Sequence, residues 1–398
     1  MREIWRQPFE KYQSCLQKYK ICSAEELFLL CKNDINKLNE QVFKTEHHCL
    51  TILETIGCRH QIREDSISGC TFCNWDCERI EEIARLKSLQ QKDKNLYAQI
   101  ISYSFESIRG TVCKPEFIEQ ISVHNILDEE QFPDEAYDMI FGDTSTYISK
   151  PQLGIISARA DTVNADKVEK WKKAFRRNLT IGLGVEVGNE WLRNNWLNKN
   201  ITNEQLQVAI DCIHDKNVSV CANIILGIPG LDDYNSLKVF HDTCQFCFNI
   251  GADYILISPL ITKTQTLGAL LGERETISEQ LFWQAVLHIK QYFEPYLKRL
   301  TFSPDNMKTM VSFHGDQWQK KYESIGILNK VYASPELFHP ERLNENTSPL
   351  FQKSLIKENL WDSAKAASNL IWGENRTMLD GFKAELERFA EGSIQWIQ

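Results

Sequence analysis

Three cysteines on one short segment, Cys58, Cys70 and Cys73, have the spacing of a metal-binding loop. Eleven residues separate the first from the second, and two separate the second from the third. Three thiolates from one loop can hold three irons of a four-iron, four-sulfur cluster, which leaves the fourth iron open to a ligand from outside the protein. The segment therefore predicts an iron–sulfur centre with one exchangeable position.

Two other arrangements use the same group of side chains. A tetrahedral zinc site could form from Cys70, Cys73 and Cys77, and its fourth ligand would then be Cys58 or His60. An iron–sulfur cluster could also bind to the last three of these cysteines and leave Cys58 out. The loop alone does not decide among the three arrangements, so the elements around it have to.

An alternation of strands and helices begins near residue 48 and is typical of parallel βα units. The predicted strands are His48–Ile56, Ile118–His124, Leu153–Ser157, Leu179–Glu186, Val218–Leu226 and Asp253–Ser258. The fourth of these is almost continuously apolar, as expected for a strand buried on both faces. Six strands with intervening helices predict an α/β fold, a partial (βα)6 barrel of the TIM type, with the cysteine segment directly after its first strand.

Helical segments are predicted on both sides of this barrel. Residues 1–45 indicate two amphipathic helices, the second of them capped by Ser23. The barrel itself is assigned to residues 46–275. Residues 276–398 are predicted to form a mainly helical extension, with helices at Gln280–Phe293, Trp361–Trp372 and Met378–Phe389.

Composition limits the classes of partner. The 398-residue chain has a net charge of −9 and 13 cysteines, and no apolar run approaches the roughly 20 residues of a membrane span. An odd number of cysteines without an export signal predicts a cytoplasmic protein with no disulfide framework. The acidic balance disfavours a nucleic-acid substrate, because phosphate neutralisation supplies most of the affinity of proteins that grip RNA.

The cysteine segment resembles the long-gap motif of one branch of the radical S-adenosylmethionine (SAM) superfamily, in which an aromatic residue such as Phe72 precedes the third cysteine. Later segments resemble strand motifs of the elongator-type and archaeosine-biosynthesis members of that superfamily. They are Val123–Pro133, Ser157–Asp161, Ile181–Glu186 with the following Asn198 and Lys199, and Asn223–Pro229. Matches in this order cover about residues 48–275 and favour the iron–sulfur arrangement on Cys58, Cys70 and Cys73.

The resemblance implies one [4Fe-4S] cluster that binds SAM and cleaves it to a 5′-deoxyadenosyl radical, which abstracts a hydrogen atom. It implies SAM contacts from Phe72, His124, Asn125, Ser157, Arg159, Glu186, Lys199, Asn223, Gly227, Ile228 and Pro229. Within this set, Glu186 and Asn223 would hold the ribose hydroxyls and Lys199 the SAM carboxylate. No cysteine follows Cys247, which predicts that there is no auxiliary cluster.

Two positions depart from the family pattern. His124 and Asn125 stand where a glycine pair normally receives the SAM amino group, and Ser157 stands where an acid is usual. His124 and Cys77 are the candidate catalytic or substrate-facing residues, with a structural role as the alternative for each.

The acidic chain, its single cluster and the lack of a recognisable RNA-binding appendage favour a ribosomal precursor peptide or a natural-product precursor over tRNA. A small separate partner protein is expected to present the peptide, as with splicease-type maturases of the elongator-like branch. The chemistry also implies an external electron donor of flavodoxin or ferredoxin type, and no membrane partner is expected. A tRNA-modifying radical SAM enzyme and a non-catalytic zinc protein are the alternatives.

Overall fold

The computed structural model describes residues 3–37, 42–44, 48–63, 67–109, 118–122, 124–142, 153–272 and 276–303. These residues form one eight-stranded sheet whose strands lie side by side in chain order. The strands are β1 (Val42–Lys44), β2 (His48–Ile52), β3 (Ile118–Ser122), β4 (Leu153–Ala158), β5 (Asn178–Glu186), β6 (Ser219–Leu226), β7 (Tyr254–Pro259) and β8 (Leu300–Phe302). Strand β1 pairs antiparallel with β2, and all later neighbours pair in parallel. The α/β class and all six predicted strands are confirmed.

The sheet of the described residues is open, since no pairing joins β1 to β8. It starts before residue 46 and continues beyond residue 275, because β1 and β8 add one strand to each side of the six that the sequence predicts. Each added strand has only three residues, which is too short for a period-two pattern to stand out in the sequence. The barrel-type sheet is therefore wider than predicted.

Helices precede the sheet, alternate with its strands and flank its last strand. They are α1 (Glu3–Lys20), α2 (Ala24–Lys37), α3 (Trp75–Glu78), α4 (Ile80–Lys92), α5 (Lys94–Arg109), α6 (Asp134–Phe141), α7 (Ala165–Lys172), α8 (Asn203–His214), α9 (Asp233–Asn249), α10 (Leu267–Leu270) and α11 (Glu279–Tyr292). Ser23 caps α2 as predicted, because its Oγ accepts the N–H of Glu26 while the Glu26 carboxylate accepts the N–H of Ser23. No helix within the described ranges is long and apolar enough to cross a membrane. The helix predicted at Gln280–Phe293 corresponds to α11, whereas Trp361–Trp372 and Met378–Phe389 lie outside the described residues.

Burial alternates along the central strands. In β4 and β7 every second residue is buried, as Ile156 and Ile257 are, while the residues that follow these two, Ser157 and Ser258, are partly exposed. Helices α8 and α9 pack against β6. The sheet thus buries an apolar face under helices and leaves a more polar face partly open, and parallel strands gather functional side chains at their carboxyl ends.

Candidate functional site

The cysteine segment forms a compact loop after β2. The amide N–H groups of Gln61 and Ile62 both donate to the carbonyl oxygen of Cys58, at 2.8 and 2.7 Å, which closes a turn at the first cysteine. Ile62 then forms an antiparallel bridge with Ile67. At Gly69, φ is +98°, and a Cβ atom there would lie 2.9 Å from the Cα of Gln61, so this close approach requires glycine. The described parts of the long gap between the first two cysteines, residues 59–63 and 67–69, therefore pair with each other.

Hydrogen bonds tie this loop to the connections that follow β5 and β7. The N–H of Thr71 donates to the carbonyl of Leu197 at 3.0 Å, and the side-chain amide of Asn198 donates to the carbonyl of Gly69 at 2.6 Å. On the other side, the N–H of Leu267 donates to the carbonyl of Thr71 at 2.7 Å. The loop is therefore held at the carboxyl ends of several strands, where barrel sites are built.

Charges of both signs surround the first two thiols. Burial, with the negative charge of Asp76, raises the pKa of Cys58 to about 11, against the lowering effect of Arg159. Burial also raises the pKa of Cys70, whereas the positive charges of Lys199 and Arg159 act to lower it. Cations beside a thiol favour the thiolate, which is the form that binds metals. Two basic side chains are thus in place to support thiolate ligands.

The three predicted ligands are less buried than the fourth cysteine of the loop. Cys58, Cys70 and Cys73 are partly exposed, whereas Cys77 is buried, accepts the side-chain N–H of Gln61 at 3.4 Å and has a pKa raised to about 12, chiefly by burial. Within the described ranges, no three His, Cys, Asp or Glu side chains are close enough together to hold a metal ion. A four-iron cluster binds each thiolate to a different iron, so its ligands are spaced more widely than those of one ion. The burial of the Cys77 thiol favours a structural role for this residue over a catalytic or substrate-facing role.

Asp76 connects the loop to the end of β3. Its buried carboxylate accepts the N–H of Cys58 through Oδ2 at 2.6 Å, and Oδ1 lies 2.7 Å from Nε2 of His124. Gly57 has φ of +83°, and a Cβ atom there would lie 3.1 Å from the same carboxylate. His124 therefore has a fixed partner beside the first cysteine, a contact that the sequence did not predict.

A buried ion pair lies on the polar side of β5. Nζ of Lys199 and Oε1 of Glu186 are 2.7 Å apart, and both residues are 9% exposed. A Cβ atom on Gly184 would lie 2.8 Å from that carboxylate oxygen, and one on Gly182 would lie 3.2 Å from the side-chain nitrogen of Asn223. The two glycines therefore make room for the polar groups that the sequence assigns to SAM, and the structure brings these groups together.

Lys199 lies in the connection between β5 and α8, not on a helix surface. Asn198 and Asn200 on either side have φ of +54° and +57°, left-handed values that asparagine tolerates. The carbonyl of the fully buried Arg193 accepts the N–H of Lys199, and the Arg193 guanidinium donates to the carbonyl of Ile201 at 2.8 Å. Burial alone would lower the pKa of Lys199, but the charges of Glu186 and Cys70 outweigh it and raise the pKa.

The segment after β6 is packed closely against other parts of the protein. Gly227 has φ of +96°, and a Cβ atom there would lie 2.5 Å from a methyl group of Ile277. Ile228 is buried, and the carbonyl of Pro229 accepts the indole N–H of Trp196 at 2.7 Å. The Pro229 carbonyl is therefore already engaged by the protein.

The predicted residues at the ends of β3 and β4 bond to each other. Oδ1 of Asn125 accepts the backbone N–H of Arg159 at 3.1 Å and the hydroxyl of Thr162 at 2.9 Å. The Arg159 side chain donates twice to Asp161, at 3.0 and 3.1 Å. The carbonyl of Ser157 accepts the N–H of Ile126 at 2.9 Å. Phe72 is partly buried and packs against the hydrophobic core.

Asp76 and Arg193 are the structural residues of the site that sequence reasoning missed. Neither belongs to a motif: Asp76 lies between two cysteines, and Arg193 is one polar residue in a helical turn. Both residues form hydrogen bonds or ion pairs with residues distant in the chain or with backbone carbonyls. A single sequence carries no signal for such contacts. Only their burial in the fold identifies them.

Comparison with curated proteins shows a distant relative. An uncharacterized protein of Methanocaldococcus jannaschii is 23% identical over 240 residues, which cover 60% of this chain and 63% of that protein. The match therefore spans less than two thirds of the relative's length. No family model matches the chain.

Several solved structures with a distantly similar fold are radical SAM enzymes. HydG, a maturase of the [FeFe]-hydrogenase, is 13% identical with a TM-score of 0.38, over 97% of this chain and 95% of HydG. The cobalamin-dependent enzyme OxsB is 11% identical with a TM-score of 0.35, over 85% of this chain and 55% of OxsB. Coproporphyrinogen III oxidase (HemN) of Escherichia coli is 12% identical with a TM-score of 0.33, over 64% of this chain and 56% of HemN. Likenesses at these TM-scores carry no argument about activity.

Proposed function

We propose that this protein is a radical SAM enzyme with one [4Fe-4S] cluster bound by Cys58, Cys70 and Cys73. The observation that supports the proposal most is the place of the cysteine loop, which follows the first parallel strand and is hydrogen-bonded to the connections after β5 and β7. The three partly exposed cysteines therefore lie at the carboxyl ends of the strands, and Cys70 is close to the buried pair of Glu186 and Lys199. The order of motifs along the sequence points to the same chemistry.

The described residues fit both cofactors. The cluster would take the three thiolates, with Arg159 and Lys199 offsetting their negative charge. Gly184 leaves room for the Glu186–Lys199 pair on the polar side of the sheet, where Glu186 and Asn223 would bind the ribose hydroxyls. The ammonium of Lys199 would bind the SAM carboxylate while still next to Glu186.

When bound, the cluster and SAM would together supply a 5′-deoxyadenosyl radical for hydrogen-atom abstraction, with the electron provided by a donor of flavodoxin or ferredoxin type. The protein itself would orient the bound cofactors and shield them from water. Buried Ile228 and the methyl group of Ile277 over Gly227 exclude water from one side of the site.

Iron and sulfide content after anaerobic reconstitution tests this proposal. We expect a [4Fe-4S] stoichiometry and, with dithionite and SAM, slow release of 5′-deoxyadenosine without any substrate. Cys212→Ala, which removes a partly exposed thiol on α8, is the matched control for the three ligand variants and should keep the cluster. Zinc in place of iron, with no 5′-deoxyadenosine, would show instead that the loop is a zinc site.

For the substrate, we propose a ribosomal precursor peptide presented by a small partner protein, or a natural-product precursor, in the cytoplasm. The net charge of −9 supports either over tRNA. A gel-shift titration with bulk tRNA across a salt series tests the choice. We expect no tight binding at physiological salt, whereas submicromolar affinity with a steep salt slope would favour a tRNA-modifying enzyme.

A further inference from the structure

Glu186 and Lys199, two of the side chains proposed to bind SAM, are carried by a backbone of unusual shape. Glu186 has φ of +63°, and the pairing of β5 with β6 shifts its register between Gly184 and Glu186. Asn198 and Asn200, on either side of Lys199, are also left-handed. Left-handed residues other than glycine are uncommon and persist where the surrounding structure holds them in place. The fold must therefore hold this segment at both of its ends.

The guanidinium of Arg193 reaches both ends of the segment. Through Nη1 it donates to the carbonyl of Val187 at 3.0 Å, directly after Glu186. Through Nε it donates to the carbonyl of Ile201 at 2.8 Å, two residues after Lys199. The backbone carbonyl of Arg193 also accepts the N–H of Lys199 at 2.9 Å. One residue thus connects the backbone beside the carboxylate with the backbone beside the ammonium.

Arg193 acts on this site only through its neighbours. Its third nitrogen, Nη2, donates to the side-chain oxygen of Asn203 at the start of α8 and lies 3.7 Å from the carboxylate of Glu190. All three guanidinium nitrogens therefore have partners within the protein. With no exposed surface, Arg193 cannot itself touch a ligand. Any effect on a ligand must pass through Glu186 and Lys199, whose backbone it holds.

We propose that Arg193 is a positioning residue that fixes Lys199, the anchor for the SAM carboxylate, relative to Glu186, the anchor for the ribose. The inference rests on the proposed function, because both anchoring roles do. SAM carries a ribose and a carboxylate, so its affinity depends on the spacing of the two anchors, as in any two-point attachment. A ligand with the ribose and no carboxylate uses one anchor and tolerates a change in that spacing.

Calorimetric titration of the reconstituted full-length protein with two ligands tests the inference. S-adenosylhomocysteine has the ribose and the amino-acid end of SAM, whereas 5′-methylthioadenosine has the ribose and lacks the amino-acid end. Arg193→Lys keeps the positive charge, but an ammonium cannot span separate carbonyls as the planar arginine fork does. We expect this variant to bind S-adenosylhomocysteine about tenfold more weakly, the loss of one charge-assisted hydrogen bond, and 5′-methylthioadenosine as the wild type does. Arg177→Lys, at an exposed arginine before β5, is the matched control and should change neither affinity.

A second variant decides the question if Arg193→Lys does not fold, which circular dichroism and urea unfolding report. Asn203→Ala removes one partner of the Arg193 guanidinium at an exposed position. We expect a smaller loss, about threefold, again for S-adenosylhomocysteine alone. A merely structural role of Arg193 would weaken both ligands alike or neither, and either result in the folded variants would overturn the inference while the proposed function stands. A wild type that holds no cluster and binds neither ligand would overturn the proposed function, and the inference with it.

Discussion

Replacement of Lys199 by methionine should weaken both the fold and SAM binding, and a second substitution separates the two effects. At 2.7 Å the attraction between Lys199 and Glu186 is about 6 kcal/mol for an effective dielectric constant of ~20, and desolvation of the two charges offsets most of it. The single substitution leaves the Glu186 carboxylate buried without that partner. Breaking a buried pair from one side costs about 3–5 kcal/mol. We expect Lys199→Met and Glu186→Met each to lose that amount of unfolding free energy.

The double variant removes both charges and should unfold within about 1 kcal/mol of the wild type, since replacing a whole buried pair by apolar side chains is often neutral. Urea unfolding of the protein without cofactors measures all four proteins, and Lys94→Met at the exposed start of α5 is the control. SAM affinity by calorimetry should not recover in the double variant and should remain about 1–3 kcal/mol weaker for each lost contact. If the two single losses simply add in the double variant, the pair is not coupled. If the double variant binds SAM as the wild type does, neither residue is a SAM ligand.

Other outcomes are expected at the loop, the sheet and the outer helices. Cys58→Ala should abolish the broad iron–sulfur absorbance while Cys77→Ala keeps it, and the reverse result would move the cluster to the later cysteines. Gly184→Ala should weaken SAM binding measured by calorimetry, because its methyl group would crowd the buried ion pair; unchanged affinity would place SAM elsewhere. Burial lowers the pKa of His241 to about 4 and of His288 to about 3. These histidines therefore bind protons at a higher pH in the unfolded chain than in the folded one, so the free energy of unfolding should decline as the pH falls below 6.5. His288→Phe should reduce the difference between urea midpoints at about pH 7 and about pH 5, and an unchanged difference would contradict this assignment.

The sequence was sufficient for the longest strands, β5 and β6, because each of them has a long apolar run of its own. In β5 the buried face, with Ile181 and Leu183, is continuous enough to be recognised without any partner. The strands β1 and β8 have no such signal, since three residues become a strand only when a neighbour supplies the hydrogen bonds. Their pairing with β2 and β7 is a property of the folded sheet.

The site was predictable in its parts and not in its connections. Cysteine spacing marked the loop, and the end of a strand marked Glu186, because parallel strands bring their carboxyl ends to one edge. Asn223 was marked by the family resemblance, and the structure places it inside β6. The contact of Asp76 with His124 could not be predicted, since it joins two loops through one buried carboxylate. The depth of Lys199 was also hidden, because its burial depends on the left-handed turn at Asn198.

These connections explain how His124 and Asn125 can replace a glycine pair. In this chain the two side chains brace the site: His124 meets the carboxylate that holds the Cys58 amide, and Asn125 accepts the backbone N–H of Arg159. A group that receives the SAM amino nitrogen must then come from another residue, or these contacts must open when SAM binds. The same atoms thus stabilise the loop and lie beside the proposed SAM site. A loss of activity at His124 or Asn125 is evidence of contact with SAM only if the unfolding free energy of the variant is unchanged.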